Sequence, residues 1–369
     1  MAQEPTRAAT SRSPARQANR ARRDRRQPGP AFAAIDLGTN NCRMLVARRA
    51  PGGFRIIDSF SRIVRLGEGL NDSGALSEAA MDRVVEALSV CAEKMEKRSV
   101  VKSRCVATQA CRMADNGPEL MARIKDKTGL DFDIITSEEE ARLSVLGCLD
   151  LMDERYETAL VVDIGGGSTE LSWVDVGMWR ERGGYASGGR PPVRTWASAP
   201  VGVVTLSERF PETEDTATWY GEMRSFAAAM LKTPKGAKKL RKHFRDGRAH
   251  LIGTSGTITS VAGVHLDLPR YERARVDGLW MSSEDTIATC NRLSAKDFAG
   301  RSAEPVIGTE RADLVLAGCA ILEAVMEAWP ATQLRVGDRG LREGLLMNLM
   351  RKPRRRRGRR KGGGPETSE

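Results

Sequence analysis

The sequence predicts an α/β protein of two domains, and three observations lead to this prediction. The chain has 369 residues, which is enough to build two hydrophobic cores. Predicted strands alternate with predicted helices, a pattern typical of mixed sheets covered by helices. A pattern of apolar strand, Asp, glycine and hydroxyl residue occurs twice, with Asp36 and Asp163 as its aspartates. We expect each domain to present one copy of this pattern to a shared cleft.

The first predicted domain spans residues 31–152 and begins with strands. A hairpin over 31–49 and a strand over 54–65 would form an antiparallel start to its sheet. Ser77 is placed as the N-cap of a helix that runs to about Lys97, with apolar residues on one face. The other predicted elements are a strand at 103–108, a helix at 119–127, a strand at 132–136, and a helix capped by Ser137 that runs to Leu149.

The second predicted domain spans residues 153–350, because charge rises and apolar content falls around 150–157. A Gly- and Pro-rich connection at 183–192 follows its first hairpin. The later elements are predicted as a polar helical stretch at 213–243, a strand at 250–252, helices at 283–294 and 309–328, a strand at 333–336, and a final helix from about Leu341.

The stretch at 160–172 is the centre of this interpretation. Its apolar run predicts a short buried strand that ends at Asp163. Three glycines follow, Gly165, Gly166 and Gly167, and they leave backbone N–H groups accessible to an anion. Hydroxyl donors and a second carboxylate come next, which suits a phosphate bound to a hard cation. These residues are Ser168, Thr169 and Glu170.

A glycine-rich hairpin turn without a ligand is the alternative interpretation of this stretch. The second copy, at residues 31–46, outweighs it. There an apolar strand again ends in an aspartate, Asp36, which is followed by Gly38, Thr39 and another strand. Two copies in equivalent settings favour a duplicated phosphate-binding fold over coincidence.

The formal net charge of +11 is concentrated in two tails. Residues 1–30 contain eight Arg against two acidic residues, and residues 351–369 contain nine Lys or Arg against two. Both tails have few apolar residues, so we expect them to be disordered. Non-specific attraction of polyanions, by salt-sensitive counterion release, is one function for them. A merely solubilising role is the alternative.

Seven scattered cysteines without a Cys-x-x-Cys pair predict neither a zinc site nor a disulfide framework. No apolar run is long enough to cross a bilayer, and the Arg-rich N-terminus lacks the apolar core of a secretory signal. We therefore expect a soluble cytoplasmic protein that does not contact membranes.

Both aspartate motifs, IDLGTNNCRMLV and VVDIGGGSTELS, are similar to the paired phosphate signatures of the exopolyphosphatase and guanosine pentaphosphate phosphatase (Ppx/GppA) family. That family belongs to the actin-like ATPase superfamily. Other segments match in the family's order: 107–112, 138–142, 252–257, 310–313 and 338–344. The resemblance implies two actin-like domains, each a mixed sheet with helices on its faces, an active-site cleft between them, and a last helix that often returns to the first domain.

Catalytic and metal-binding roles follow from this resemblance. The family pattern makes Glu140, the Glu before Ala-Arg, the catalytic base. The residues alone do not distinguish Glu138, Glu139 and Glu140 as candidates, since acidic residues are favourable in any first helical turn. The resemblance implies Asp36, Asp163 and Glu170 as ligands of a metal and its water, with Asp163 also catalytic. Mg²⁺ is the expected metal, Mn²⁺ is the alternative, and a monovalent cation is compatible with the family.

Arginines and a second glycine loop complete the predicted site. Guanidinium groups grip phosphate oxygens and stay charged, although lone arginines are usually solvated. The loop at 253–257 resembles the superfamily's nucleotide-side loop, with a tight turn as the alternative. The predicted phosphate-binding residues are Thr39, Asn40, Arg43, Arg112, Gly165, Gly166, Gly167, Ser168, Thr169, Gly253, Thr254, Ser255, Gly256, Thr257 and Arg311.

The function expected first is a Mg²⁺-dependent exopolyphosphatase, which removes the terminal phosphate of inorganic polyphosphate. Conversion of guanosine pentaphosphate (pppGpp) to the tetraphosphate by the same mechanism is the alternative. A sugar kinase or ATPase of the superfamily and a catalytically silent sensor are further hypotheses. Longer family members continue with an extra helical domain, which leaves polymer length and processivity open. A homodimer is compatible with the resemblance.

Overall fold

The computed structural model describes residues 29–183 and 192–351. Most of both basic tails and of the predicted 183–192 connection lies outside the described residues. Among the helices in the described ranges, none is long and apolar enough to cross a membrane.

Two mixed sheets form the framework. Sheet A has the strand order β3-β2-β1-β4-β5, and sheet B has the order β10-β11-β9-β6-β7-β8. The strands are β1 (Ala31–Leu37), β2 (Asn41–Ala50), β3 (Gly53–Ile63), β4 (Val100–Ala107), β5 (Phe132–Ile134), β6 (Thr158–Ile164), β7 (Thr169–Asp175), β8 (Val193–Ala199), β9 (Ala249–Thr254), β10 (Trp280–Ser282) and β11 (Gln333–Gly337).

The two sheets repeat one topology. β1 lies between its antiparallel hairpin partner β2 and the parallel strand β4, and β6 lies in the same way between β7 and β9. In the hairpin registers Asp36 pairs with Arg43, and Asp163 pairs with Glu170. The aspartates therefore occupy equivalent positions near the ends of equivalent strands, as the duplicated sequence pattern predicts.

Helices cover both sheets and connect their strands. They are α1 (Leu70–Ser73), α2 (Glu78–Lys97), α3 (Gln109–Met113), α4 (Gly117–Thr128), α5 (Ser137–Gly147), α6 (Val176–Glu181), α7 (Val203–Arg209), α8 (Thr216–Met230), α9 (Arg241–Arg245), α10 (Gly256–His265), α11 (Arg273–Val276), α12 (Ser283–Ser294), α13 (Phe298–Ser302), α14 (Thr309–Ala312), α15 (Val315–Ala328) and α16 (Leu341–Met350); 3-10 turns occupy Leu149–Leu151 and Lys235–Leu240.

Helix starts follow the capping chemistry, with one correction. The Ser77 side chain accepts a hydrogen bond from the backbone N–H of Ala80 and caps α2, as predicted. The predicted cap of α5, Ser137, is wrong. Thr136 has the extended backbone of a cap, and its hydroxyl accepts from the N–H of Glu139, so α5 begins one residue earlier.

Two predicted helical stretches are interrupted. The stretch at 213–243 divides into α8, a 3-10 turn and α9, since Pro234 precedes the 3-10 turn and lacks the N–H that a continuous helix needs. The stretch at 309–328 divides into α14 and α15. The structure also contains elements that were not predicted, among them strand β8, strand β10 and helix α7. The domain boundary after residue 152 falls between the two sheets and stays a prediction.

Helices α5 and α16 hold the two halves together. A Cβ atom on Gly147 of α5 would lie 1.9 Å from the carbonyl oxygen of Gly340, just before α16. Farther along α16, Leu345 and Leu346 pack with Phe32 of β1 in one apolar cluster. The last helix therefore returns to the first sheet, as the resemblance implied, and its first turn lies at the cleft.

Candidate active site

The loops of the two equivalent hairpins meet in one cleft with a cavity volume of about 160 Å³. One wall is formed by the β1–β2 loop and α5, and the other by the β6–β7 loop, the β9–α10 loop and the start of α16. Charged residues from both halves line it: Asp36, Arg43, Glu140, Asp163, Arg311, Asp338, Arg339 and Arg342.

Close backbone contact explains the glycines of the β6–β7 loop. A Cβ atom on Gly166 would lie 2.8 Å from Cβ of Thr39, and one on Gly167 would lie 2.9 Å from Oγ1 of Thr39. Any side chain at either position would therefore push the two hairpin loops apart. Behind the loop, the N–H groups of Val203 and Val204 donate to the carbonyls of Gly165 and Gly166 at 3.0 and 2.8 Å. The first turn of α7 thus fixes the shape of the loop.

The two strand-end aspartates face the cleft in different settings. Asp163 accepts hydrogen bonds from the hydroxyls of Ser144 and, at 3.2 Å, Thr254. Burial raises the pKa of Asp163, and the hydrogen bonds oppose that rise. Burial also raises the pKa of Asp36 to about 6, although Arg43 favours its ionised form; Asp163 contributes to the rise. The electrostatic coupling of the two carboxyl groups agrees with a shared cleft.

Glu140 lies in the first turn of α5, which begins directly after β5. Its Oε2 atom accepts from both terminal nitrogens of Arg112 at 3.2 Å. Arg112 is itself held by the Ile135 carbonyl at 2.7 Å and by the Gln109 amide oxygen at 2.6 Å. Burial and the negative charge of Glu170 raise the pKa of Glu140 despite this guanidinium. A buried, oriented carboxyl group with a raised pKa suits proton transfer.

Three guanidinium groups converge on the cleft from different elements: Arg43 from β2, Arg311 from α14 and Arg342 from α16. Burial lowers the pKa of Arg43, and the positive charges of Arg342 and Arg311 lower it further. Like charges gathered in this way are costly without an anion and become favourable when one binds. The cluster is suited to a polyanionic ligand.

The β9–α10 loop forms the floor beside these arginines. Ser255 has a φ of 131°, and its hydroxyl accepts from the N–H of Ile258 to cap α10. Gly318 of α15 lies directly beneath Thr257, where a Cβ would come within 2.1 Å of the Thr257 hydroxyl. Ser255, Gly256 and Thr257 line the cleft, so the N-terminal end of α10 faces it.

Most predicted phosphate-binding residues line the cleft themselves: Thr39, Asn40, Arg43, Gly165, Gly166, Gly167, Ser168, Thr254, Ser255, Gly256, Thr257 and Arg311. Four predicted site residues lie one layer behind it. Arg112 orients Glu140, and Gly253 packs against Ile258 and Leu334. The Thr169 hydroxyl donates to the Val201 carbonyl, and Glu170 accepts from Ser198 at 2.8 Å.

A ready-made metal cage is absent from the described residues, where no three His, Cys, Asp or Glu side chains cluster as ligands would. Glu170, the predicted third ligand, is buried beneath the loop, and burial raises its pKa to about 7. Asp36 and Asp163 do face the cleft. Two carboxylates fit a Mg²⁺ ion that keeps several waters and is shared with substrate phosphates. The residues present therefore fit such an ion, without Glu170 in direct contact.

Arg342 and Gln109 line the cleft and were missed as site residues in the sequence. A signal existed for both, because Arg342 lies in the matched segment 338–344 and Gln109 in the matched segment 107–112. Their roles depend on contacts between distant segments, such as the approach of Gln109 to the glycine loop, where a Cβ atom on Gly167 would lie 2.9 Å from Cγ of Gln109. Spacing along the chain gives no measure of these contacts.

The duplicated sheets and the cleft between their hairpin loops define an α/β protein of actin-like architecture. The Ppx/GppA phosphatase family model matches residues 45–353. The chain belongs to this family, and the protein is accordingly a phosphatase, a hydrolase of phosphate bonds.

Solved structures agree with this assignment. The Ppx/GppA family member of Aquifex aeolicus is 26% identical, with a TM-score of 0.67 over 87% of this chain and 97% of that chain. An exopolyphosphatase-like protein is also 26% identical, with a TM-score of 0.72 over 88% of this chain and 98% of its own. An exopolyphosphatase from Cytophaga hutchinsonii, 23% identical, shares the fold with a TM-score of 0.73 over 86% and 97% of the two chains.

Proposed function

We propose that the protein is an exopolyphosphatase, which hydrolyses the terminal phosphoanhydride bond of inorganic polyphosphate with Mg²⁺. The observation that carries this proposal is the convergence of Glu140, Asp36, Asp163 and the arginine cluster on one cleft between two phosphate-type loops. Hydrolysis of a phosphoanhydride requires a held phosphoryl group, a positioned water and a group that accepts its proton. The cleft supplies a residue for each requirement.

The terminal phosphate is held by donors from both walls. Backbone N–H groups and hydroxyls of the two hairpin loops surround its oxygens, and Arg43, Arg311 and Arg342 neutralise the negative charge. Because the glycine loop and the β1–β2 loop touch, these donors are already positioned when substrate enters. Such preorganisation avoids the cost of rearrangement during the reaction.

Glu140 accepts the proton of the attacking water in this proposal. Its carboxylate belongs to the first turn of α5, and the two bonds from Arg112 fix the direction of its free oxygen atom. The Arg112 guanidinium also opposes the rise that burial causes in the pKa of Glu140. Arg112 therefore acts as a positioning residue, held in turn by Gln109.

Asp36 and Asp163 are the residues that would hold Mg²⁺. Bound Mg²⁺ would neutralise charge on the bridging and terminal phosphate oxygens. Ser144 and Thr254 orient Asp163 by donating to its two oxygens. Glu170 lies behind the site, where its carboxyl group accepts from Ser198, and does not contact the ion in this proposal.

Polyphosphate is favoured over pppGpp by the character of the cleft lining. The lining residues in the described part of the chain are charged, amide, hydroxyl, glycine or aliphatic, and no aromatic ring is among them. Recognition of a guanine base commonly uses a flat ring for stacking. A phosphate polymer needs only the donors and cations that this cleft presents.

The test compares initial rates of phosphate release from polyphosphate and from pppGpp, with and without Mg²⁺. We expect kcat/KM for polyphosphate to exceed that for pppGpp by about tenfold or more, and EDTA to abolish both reactions. A faster reaction with pppGpp would replace the proposed substrate. Full activity in EDTA would remove Mg²⁺ from the mechanism. Transfer of phosphate from ATP to a sugar would place the protein among the kinases of the superfamily.

A further inference from the structure

A strongly basic surface segment lies outside the cleft, at residues 232–248. It contains five Lys and three Arg against one acidic residue, Asp246. Residues 31–350 as a whole contain 42 basic and 44 acidic side chains, so the excess of charge is local. Neither the proposed catalytic mechanism nor the predicted motifs use this segment.

The fold presents these cations to solvent. The segment runs through the 3-10 turn Lys235–Leu240 and α9, which are anchored from inside by buried Ala237 and Phe244. Lys235, Lys238 and Lys239 are exposed. Among the described residues, Asp246 pairs with Lys242 at 3.1 Å and with Arg248 at 3.0 Å, whereas those three lysines have no ion-pair partner.

The basic segment packs against the sheet whose β6–β7 connection forms the glycine loop of the cleft. Gly236 packs against Thr195 of β8, where its Cβ would lie 3.2 Å from Cβ of Thr195. Thr195 pairs with Trp173, four residues along β7 from Thr169 at the end of the loop. At the rise of a strand, Thr169 and Trp173 are about 13 Å apart, and this is the part of the path from the loop to the segment that runs along β7. A long phosphate polymer can cover such a path, whereas tripolyphosphate held in the cleft is too short to do so.

We propose that residues 232–248 form an accessory binding surface for the distal part of a long polyphosphate chain whose end occupies the cleft. This inference rests on the proposed function. Exposed lysines without partners gain most from a dense line of phosphates, through release of counterions. Single-stranded nucleic acid usually also requires exposed aromatic rings. In this segment Phe244 is buried, and the nearby Trp329 is buried beneath Arg241.

The test neutralises Lys235, Lys238 and Lys239 together to Gln in the full-length protein. A matched control neutralises three exposed cations of the other sheet's domain, Arg55→Gln, Lys97→Gln and Lys102→Gln, which also have no ion-pair partner among the described residues. We expect KM for long-chain polyphosphate to rise about tenfold in the first variant only, with a weaker salt dependence. The kinetics with tripolyphosphate should stay unchanged in both variants.

Direct binding of long polyphosphate at several salt concentrations separates this inference from the proposed function. If the wild-type protein binds long polyphosphate without cleaving it, and the lysine variant binds it more weakly, the proposed function is contradicted and the accessory binding surface is supported. An equal loss of affinity for long polyphosphate in both triple variants, or an unchanged affinity in the lysine variant, would overturn the proposed binding surface. Loss of single-stranded RNA binding without loss of polyphosphate binding would overturn it as well.

Discussion

Arg342 occupies the first turn of α16, where a crossing between the two halves places a guanidinium beside Asp36 and Arg43. Glu343, its neighbour, accepts from the N–H of Gly340 at 2.9 Å and from Arg273 at 3.3 Å. These bonds fix the helix start. The helix start that carries Arg342 is thereby fixed beside the cleft.

Replacing Arg342 by Gln should weaken substrate binding and leave the fold intact. We expect KM for polyphosphate to rise about tenfold, the size of one charge-assisted contact. Thermal stability of the ligand-free protein should change little, since Arg342 is repelled by Arg43 and attracted by Asp36 and Asp163. Steady-state kinetics and thermal unfolding check both effects. A lower melting temperature with unchanged KM would mean that Arg342 is structural.

Asp36 gives a pH-dependent prediction. Its pKa is about 6 in the folded protein against an ordinary value of 3.8, because burial and the nearby Asp163 and Glu343 outweigh Arg43 and Arg342. The folded state therefore keeps a proton that the unfolded state has lost. The resulting cost is absent below about pH 4, grows as pH rises, and is complete above about pH 6. Burial of this carboxyl group thus destabilises the metal-free protein at neutral pH.

Asp36→Asn should accordingly stabilise the protein in EDTA by about 1–3 kcal/mol at pH 8 and by little at pH 4. Activity should fall in the same variant, because Asp36 is a proposed metal ligand. Urea unfolding at the two pH values measures the difference. A variant that is less stable at pH 8, or equally affected at both pH values, would contradict the assignment.

At the residue scale, the sequence predicts which side chains are candidates better than what each one contacts. Asp36, Asp163 and the glycine loop could be found because two copies of one pattern appear in the chain. The layer behind them could not be found in this way. Glu170 satisfies the motif, yet its place beneath the loop depends on the pairing of β7 with β8, which brings Ser198 to its carboxylate.

At the scale of helices and strands, glycine contacts between α5 and α16 set the geometry of the site. A Cβ on Gly147 would approach the carbonyl oxygen of Gly340 to 1.9 Å, and one on Gly344 would approach that of Leu143 to 2.1 Å. The two helices can therefore cross only with glycine at both contacts. From this crossing Ser144 donates to Asp163, and Arg342 reaches the cleft.

Gly147→Ala should force the helices apart and cost about 2–4 kcal/mol in the free energy of unfolding. Activity should fall further than stability explains, since Ser144 and Arg342 would shift. Gly221→Ala in α8 is the matched control, because nothing lies within 4 Å of its added Cβ; it should stabilise by about 0.5–1 kcal/mol. Similar effects of both substitutions on unfolding would contradict the proposed crossing.

Elements with strong local signals were predictable from the sequence. Helix α2 has its cap at Ser77 and one apolar face, and α12 begins and ends at the predicted residues. Strand β10 has three residues and depends on pairing with β11, so the local sequence carries little signal for it. The cap of α5 was misplaced because Thr136 and Ser137 are adjacent residues with equivalent capping chemistry.

At the scale of the whole molecule, polar contacts join the two halves beside the cleft. Arg65 pairs with Asp313 at 3.0 Å, and the N–H of Gly69 donates to Glu208 at 2.9 Å. The side chains of Arg65 and Asp313 are 41% and 34% exposed, so their pairing adds little stability. Asp313 is the last residue of the matched segment 310–313, which also carries Arg311. The Arg65–Asp313 pair is therefore suited to fixing the distance between the two halves when substrate is bound.

Arg65→Gln should change the melting temperature little and raise KM for polyphosphate several-fold, because the closed cleft loses a contact. Asp313→Asn should have the same effect, and the double variant should be no worse than either single one. Arg55→Gln, an exposed cation on the same sheet, serves as the control. Additive effects of the two substitutions would contradict a direct link between the halves.

Duplication was the part of the whole fold that the sequence predicted best. Two hairpins with equivalent aspartates implied two equivalent sheets, and the orders β3-β2-β1-β4-β5 and β8-β7-β6-β9-β11 agree with that expectation. The link between the halves was not predictable, because Arg65 and Asp313 are distant in the chain, and the matched segment 310–313 gives no partner for Asp313. The predicted domain boundary also remains a prediction, since α5 packs between both sheets.

The most direct measurement of the central claim is polyphosphate turnover and binding by Glu140→Gln beside Glu139→Gln. Glu139 precedes it in the same helical turn, is also a glutamate and pairs with Arg104 at 3.5 Å, away from the cleft lining. We expect Glu140→Gln to lose about 100-fold or more in kcat while it still binds polyphosphate, and Glu139→Gln to stay near the wild-type rate. Full turnover by Glu140→Gln, or an equal loss in both variants, would contradict the account.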